Sequence, residues 1–224
     1  MAYQDVARNI ELLKNEIPAG VELVAVSKFH PAEALLEAYK VGQRRFGESR
    51  VQELLKKKTE LPADIEWHFI GHLQTNKVKM LVGEVSLIES VDTEHLLEMI
   101  DKESDKAGVD SKVLMQLHVA REETKFGFTP DELLEFFRNK GYEKLKRTHI
   151  CGVMGMASNT DDMNRVREDF RLIRSVFDRI KAETPDLRGF DMVSMGMSGD
   201  WPVAVEEGSN LIRVGTRIFG EREY

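Results

Sequence analysis

The sequence predicts a single α/β domain over residues 1–224, folded as a (β/α)8 TIM-type barrel. Eight short apolar runs rich in Val, Ile and Phe alternate with helical apolar spacings from one end of the chain to the other. The length of 224 residues suits one large domain, and no linker, repeat or low-complexity segment divides it. Such alternation is typical of parallel strands joined by crossover helices, and eight of these units close a barrel.

The elements are predicted in chain order as follows. The N-terminal pattern indicates a helix over residues 2–16, which we expect to cover the place where a helix after the eighth strand is missing. Strands are predicted at residues 21–28, 44–49, 66–71, 85–92, 112–119, 148–156, 190–197 and 210–220. Helix starts are predicted at Pro31, Thr93, Thr129 and Asp161, and helix ends at Gly42, Gly108 and Gly141. A doubly wound open sheet is the alternative, but the segment after the first strand, SKFHPAE, lacks the glycine-rich turn of that fold.

Composition excludes several classes of function. A formal net charge of −7 and a pI near 5.5 argue against general nucleic-acid binding. No apolar run approaches the roughly 20 residues of a membrane span, and the N-terminus is unlike a signal peptide, so we expect a cytoplasmic protein without a membrane partner. The single cysteine, Cys151, excludes a multi-cysteine metal site and is predicted to be a small buried side chain; no metal is expected. The basic run at residues 54–58 is predicted to be a solvated helix face.

The ends of the predicted strands carry the candidate site, because barrel enzymes place their chemistry at the C-terminal ends of the strands. Lys28 ends the first strand. Ser198 begins the segment SGDWP, which suits the start of a helix whose N–H groups face a ligand. Gly215 and Thr216 add close backbone approach and a hydroxyl on the next strand. These positions after strands seven and eight predict a phosphate site.

Arg213 lies within an apolar strand, on the same face as Gly215 by the period-two rule. A guanidinium cannot be neutralised in a core, so it needs acceptors nearby. An ion pair with a buried acid is one reading, and contact with a ligand atom is the reading we favour. Lysine amines form Schiff bases with carbonyl compounds. A phosphorylated aldehyde, pyridoxal 5′-phosphate (PLP), therefore satisfies the amine, the phosphate site and the arginine. A barrel enzyme acting on a phosphorylated sugar, with Lys28 as an aldolase-type amine, is the alternative.

The chain resembles the pyridoxal phosphate homeostasis protein family, whose barrel is shared with alanine racemase. The resemblance covers nearly the whole chain, in order, and is carried by the segments VAVSKFHP, RRFGESRVQE, WHFIGHLQTNK, SMGMSGDW and IRVGTRIFGERE. It implies that Lys28 forms the Schiff base with PLP and that Arg213 faces the pyridine nitrogen. It also implies a phosphate site built from Ser198, Gly215 and Thr216, with help from Ser194.

Two further positions follow from the resemblance. His68, with Phe69, would line the pocket from the third strand; the alternative for His68 is a paired core histidine. Ser49 stands where the family commonly has asparagine, so its contact with the cofactor from the second strand is the one departure, and its shorter hydroxyl would need a water to reach.

The resemblance implies a carrier that buffers PLP or delivers it, with no substantial turnover. A cation beside the pyridine nitrogen disfavours ring protonation and weakens the ring as an electron sink. Racemase-like enzymes complete their site with a second domain and a tyrosine, whereas we expect no second domain here. None of the four tyrosines, Tyr3, Tyr39, Tyr142 and Tyr224, ends a predicted strand. We expect a monomer whose further partners are apo PLP-dependent enzymes; a small PLP-dependent racemase or decarboxylase is the alternative.

Overall fold

The computed structural model describes residues 3–120 and 126–221 and contains a closed barrel of eight parallel strands in sequence order. Tyr224 lies outside the described residues. The predicted barrel is therefore confirmed. The strands are β1 (Glu22–Val26), β2 (Arg45–Glu48), β3 (Glu66–Phe69), β4 (Leu87–Val91), β5 (Ser111–Leu117), β6 (Thr148–Gly155), β7 (Met192–Ser194) and β8 (Leu211–Val214).

Helices follow the strands around the outside of the barrel. The α-helices are α1 (Gln4–Glu16), α2 (Ala32–Lys40), α3 (Val51–Glu60), α4 (Val78–Leu81), α5 (Glu94–Ala107), α6 (Pro130–Arg138), α7 (Met163–Glu183), α8 (Trp201–Glu206) and α9 (Thr216–Phe219). Short 3₁₀ turns at Thr75–Lys77 and Gly141–Lys144 complete the order. Within the described ranges, no helix is both long and apolar enough to cross a membrane.

Local sequence signals explain the boundaries of α5, α6 and α7. The Thr93 hydroxyl accepts the N–H of Leu96, and Thr129 forms a reciprocal capping box with Glu132. Gly108 ends α5 with a left-handed φ of 69°, which glycine adopts without a steric penalty. The start predicted at Asp161 was wrong by one residue: Asp162 caps α7 through the N–H of Asn164.

The end of the chain departs from the prediction. The run at residues 210–220 was predicted to be one strand, but β8 stops at Val214 and residues 216–219 turn into α9. The prediction that the helix after the eighth strand is missing was wrong, since α9 follows β8; helix α1 packs beside this short helix. Asn9 Nδ2 donates to the carbonyl of Ile218 at 3.0 Å, and Arg217 pairs with Glu16 at 2.6 Å.

Two apolar clusters form the core. The larger lies between the strands and the helices, as expected for residues that alternate between the two faces of each strand. The smaller fills the barrel interior and consists of Val24, Leu87, Leu114, Cys151, Met154 and Leu211. Cys151 is buried as predicted, and burial raises the pKa of its thiol. The solvated-face prediction for residues 54–58 was wrong for Lys57, which is 5% exposed.

Candidate functional site

Lys28 stands at the rim of the barrel mouth, the end formed by the C-terminal ends of the strands. β1 stops at Val26, two residues earlier than the lysine that was predicted to end it. Lys28 is half-buried and lies in the turn that follows the strand. Its amine therefore belongs to a loop at the mouth, where barrels carry their functional groups.

Three of the predicted phosphate-site residues meet at the same rim. The N–H of Gly215 donates to Oγ of Ser198 at 3.3 Å, which joins the turn after β7 to the start of α9. A Cβ on Gly215 would lie 3.1 Å from the carbonyl oxygen of Val26, so this glycine also packs against the end of β1. Thr216 is exposed and opens α9. The structure thus brings Ser198, Gly215 and Thr216 beside the strand that leads to Lys28.

Arg213 lies in a buried hydrogen-bonded network inside the barrel. Its guanidinium donates to Oγ of Ser194 and, at 3.0 Å, to the carbonyl of Gly155. Ser194 in turn donates to Oε2 of Glu89 at 2.5 Å. Glu89 Oε2 lies 3.6 Å from the guanidinium of Arg213, and Oε1 accepts from Nδ1 of His68 at 2.7 Å. Strands β3, β4, β6, β7 and β8 therefore share one polar network in the barrel.

This network bears on the sequence-based predictions for Arg213, Ser194 and His68. Arg213 makes the ion pair with a buried acid that was the less favoured reading. Ser194 bonds to Arg213 and Glu89 within the network, and its predicted help in the phosphate site stays a prediction. His68 is a paired core histidine, 4% exposed, and Phe69 lies in the cluster between strands and helices, so neither is shown lining a pocket.

Electrostatics keep the network charged. Burial alone would raise the pKa of Glu89. The net shift is downward, because this effect is outweighed by the hydrogen bond and charge of His68, the charge of Arg213 and the hydrogen bond of Ser194. Burial lowers the pKa of Arg213, opposed by the negative charges of Glu89 and Asp200. Because an arginine keeps its proton in proteins, Glu89 serves as a counter-charge of the buried Arg213 cation.

Ser49 lies one residue past β2, in a bend at the mouth, and is half-buried. A Cβ on Gly71 would approach the carbonyl oxygen of Ser49 to 2.3 Å, so the segment after β3 runs directly against Ser49. Its position at the mouth agrees with the prediction, and a contact between its hydroxyl and a ligand stays a prediction.

A histidine and an aspartate at the mouth were missed by the sequence reasoning. Nδ1 of His72, after β3, lies 2.9 Å from Oδ2 of Asp92, which directly follows β4. The ring of Phe126 stacks on His72 with centroids 3.8 Å apart. Asp92 is buried, whereas the His72 side chain is 43% exposed. The position of Asp92 at a strand end could have marked it as a site residue. Its pairing with His72 depends on the fold and could not be predicted from either segment alone.

Glu48 lies beneath the turn that carries Lys28, and its titration gives a testable prediction. Its Oε1 accepts from the hydroxyl of Ser27 and from Nζ of Lys57, both at 2.7 Å. Oε2 is buried and has no hydrogen-bond partner within the described part of the chain. Burial raises the pKa of Glu48 from 4.5 to about 7, although the charge and hydrogen bond of Lys57 and the hydrogen bond of Ser27 oppose the shift.

We expect Glu48 to lower the free energy of unfolding as the pH rises from 4.5 to 7. In that range the folded state holds a proton on Glu48 that the unfolded chain has released, so each rise in pH favours unfolding. Below pH 4.5 Glu48 makes its full contribution to the free energy of unfolding. At pH 7 about 3 kcal/mol of that contribution is lost. Urea unfolding of the wild type and of Glu48→Gln across this range measures it, since the variant should lack this slope. Equal slopes in the two proteins would contradict the assignment.

Known proteins resemble this chain over nearly its whole length. The sequence profile for the alanine racemase N-terminal domain matches residues 2–223. A pyridoxal phosphate homeostasis protein of Aquifex aeolicus is 41% identical over 204 residues, which cover 91% of this chain and 88% of the relative.

Solved structures agree with these sequence matches. PipY of Synechococcus elongatus is 37% identical and covers 96% of this chain and 100% of its own, with a TM-score of 0.91 without PLP and 0.87 with PLP bound. An alanine racemase of Clostridium difficile is 13% identical and has a TM-score of 0.76, with coverage of 99% of this chain and 58% of the racemase, and shares the fold alone.

Proposed function

Because the chain belongs to the pyridoxal phosphate homeostasis protein family, we propose that it binds PLP at the barrel mouth and serves to buffer or deliver the cofactor. The observation that carries the proposal is the meeting of Ser198 and Gly215 beside the strand that leads to Lys28. In our proposal, the phosphate of PLP would bind at Ser198 and Gly215, on the same rim as the Lys28 amine.

The residues at this rim fit the chemical groups of PLP. The hydroxyl of Ser198 and the N–H of Gly215 are 3.3 Å apart, a long hydrogen bond that a phosphate oxygen would replace by accepting from both. Thr216 would add its hydroxyl at the exposed start of α9. The family resemblance assigns the pyridine nitrogen to the side of Arg213. Phosphate, ring and aldehyde therefore each have a residue type suited to them.

PLP supplies an aldehyde that condenses with a lysine amine to form a Schiff base and release one water. Lys28 provides the amine in our proposal. Arg213 already donates to Ser194 and Gly155 and is balanced by Glu89, so it presents a fixed cation that cannot hand a proton to the ring. A ring that stays unprotonated stabilises carbanions poorly, which supports carriage of PLP without substantial turnover. Release to apo PLP-dependent enzymes, from a monomer in the cytoplasm, completes the proposal.

We expect Lys28→Ala to lose covalent attachment of PLP. The purified wild type, incubated with PLP and reduced with borohydride, should carry a phosphopyridoxyl group on the peptide that contains Lys28, as read by absorbance and mass spectrometry. Lys56→Ala is the matched control, because the Lys56 side chain is 77% exposed on α3. It should be modified as the wild type is.

Two results would overturn the assignment. If Lys28→Ala is modified at another lysine to the same extent, Lys28 is not the lysine that forms the Schiff base. If the wild type stays colourless and unmodified, PLP is not the ligand, and the proposed phosphate site would then favour a phosphorylated metabolite.

The pair of His72 and Asp92 favours a second candidate function, slow turnover of amino acids. An imidazole oriented by a buried carboxylate is a common general base, and this one stands at the mouth. PLP-loaded wild type incubated with a single amino-acid enantiomer would lose optical activity if the chain racemises it, or release carbon dioxide if it decarboxylates it. Loss of that activity in His72→Ala, with PLP still bound, would establish the second function. If the wild type neither changes the optical activity nor releases carbon dioxide, only the carrier function is supported.

A further inference from the structure

Helix α3 places a buried lysine beneath the turn that carries Lys28. Lys57 is 5% exposed although it belongs to a run of three lysines. Its Nζ donates to Oε1 of Glu48 at 2.7 Å, to Oε1 of Glu53 at 2.7 Å and to the carbonyl of Ser27 at 2.8 Å. The neighbouring Lys56 has a 77% exposed side chain. Burial of one lysine from this run therefore reflects specific contacts.

These contacts hold the chain on both sides of Lys28. On the N-terminal side, the carbonyl of Ser27 accepts from Lys57 and the hydroxyl of Ser27 donates to Glu48 at 2.7 Å. On the C-terminal side, the N–H of Phe29 donates to the same Glu53 oxygen that binds Lys57, at 2.7 Å. We call these three residues, Glu53 and Lys57 on α3 and Glu48 at the end of β2, the α3 clamp. Its partners flank Lys28 in sequence.

The clamp also accounts for an unfavourable backbone conformation. Phe29 has a φ of 70°, a left-handed value that costs a non-glycine residue of this size of order 1 kcal/mol or more. Such a conformation persists only where surrounding contacts impose it. The clamp supplies one such contact through the hydrogen bond from Phe29 to Glu53, and the guanidinium of Arg50, which is outside the clamp, supplies another at 4.7 Å over the Phe29 ring.

Stability alone does not explain an ammonium at this place. Burying charges costs solvation, and apolar replacements of buried ion pairs are often neutral or stabilising. An apolar side chain, however, could not donate to the Ser27 carbonyl. The clamp therefore fits a role in setting the conformation of this turn.

We propose that Lys57 is a positioning residue that, through the α3 clamp, fixes the turn at residues 27–29 and so presents the Lys28 amine at the barrel mouth. This inference rests on the proposed function for the part that concerns PLP. The conformation of the turn itself is testable without PLP.

The experiment compares Lys57→Met with Lys56→Met, a matched change one residue away on the same helix. In the apo proteins, trace labelling with acetic anhydride followed by mass spectrometry gives the reactivity of Lys28 as a function of pH. Amide hydrogen exchange reports on Phe29. With PLP, the rate of covalent coupling to Lys28 is followed by absorbance, and urea unfolding checks the fold.

We expect Lys57→Met to unfold cooperatively but to show an altered pH profile for Lys28 labelling and faster exchange at Phe29. Its coupling with PLP should be about tenfold to a hundredfold slower while the final modification stays on Lys28, because a small misplacement of a reacting group acts on rate. Lys56→Met should match the wild type. If Lys57→Met does not fold, Glu53→Ala replaces it, since this change removes the acceptor for Phe29 from a partly exposed position.

The outcomes separate this inference from the proposed function. Unchanged Lys28 labelling and unchanged coupling in a folded Lys57→Met variant would overturn the positioning role while PLP binding stands. A wild type that takes up no PLP would overturn the proposed function, and the labelling profile of Lys28 would still decide whether the clamp positions it.

Discussion

Glu89→Leu is expected to destabilise the protein by about 3 to 5 kcal/mol, because it removes the carboxylate that forms an ion pair with the buried guanidinium of Arg213. Glu89 is fully buried and faces Arg213 at 3.6 Å, and it also accepts from Ser194 and His68. Each of these partners would lose its acceptor in a place that water does not reach. Urea unfolding at neutral pH measures the loss.

A double-mutant cycle isolates the charge from the packing. Replacing both members, Glu89→Leu with Arg213→Met, should restore much of the stability lost in the single variant, since a pair of apolar side chains needs no compensation. His68 and Ser194 lose their acceptor in both variants, so their cost cancels in the comparison. Additive losses in the double variant would contradict the charge-pair account.

Gly152→Ala is expected to be the most disruptive small substitution in the barrel, with a cost above about 4 kcal/mol. Gly152 has a φ of 154°, and a Cβ there would stand 1.9 Å from the carbonyl oxygen of Met192 on β7. A backbone atom of a neighbouring strand cannot move aside as a flexible side chain can. Thermal unfolding and the yield of folded protein measure the effect.

Gly199→Ala provides the control for this substitution. A Cβ at Gly199 meets no atom within 4 Å, and its φ lies outside the left-handed range. Its cost should stay near that of an ordinary surface change, within about 0.5 kcal/mol. Comparable losses in the two alanine variants would refute the steric explanation for Gly152.

Periodicity in the sequence predicted the barrel because each strand is a local pattern. Each of the eight predicted segments overlaps a strand, and the capping residues Thr93 and Thr129 act as their residue types suggest. The irregularity at Gly152 escaped prediction, since the register between β5 and β6 shifts there and CGVMG reads as a continuous strand. A bulge depends on the partner strand, which a single segment does not reveal.

The candidate site was predicted in part for the same reason. Lys28, Ser198 and Gly215 are marked by their positions at strand ends, and the barrel brings such ends together. Glu89 and Lys57 escaped notice because their importance lies in partners far along the chain. Glu89 pairs with a residue on β8, and Lys57 reads as one of several surface lysines on a helix until its contact with Ser27 is seen.

The seam between β1 and β8 has a consequence for how the chain is made. Glu22 pairs with Leu211, so the first strand of the sheet cannot pair along this edge until the last strand has been synthesised. At a translation rate of about 5 to 20 residues per second, the interval between the two strands is on the order of ten to forty seconds. During it the outer edge of β1 keeps unpaired backbone groups, which are the usual starting point for aggregation. Closure of the barrel therefore depends on pairing between the first and the last strand of the chain.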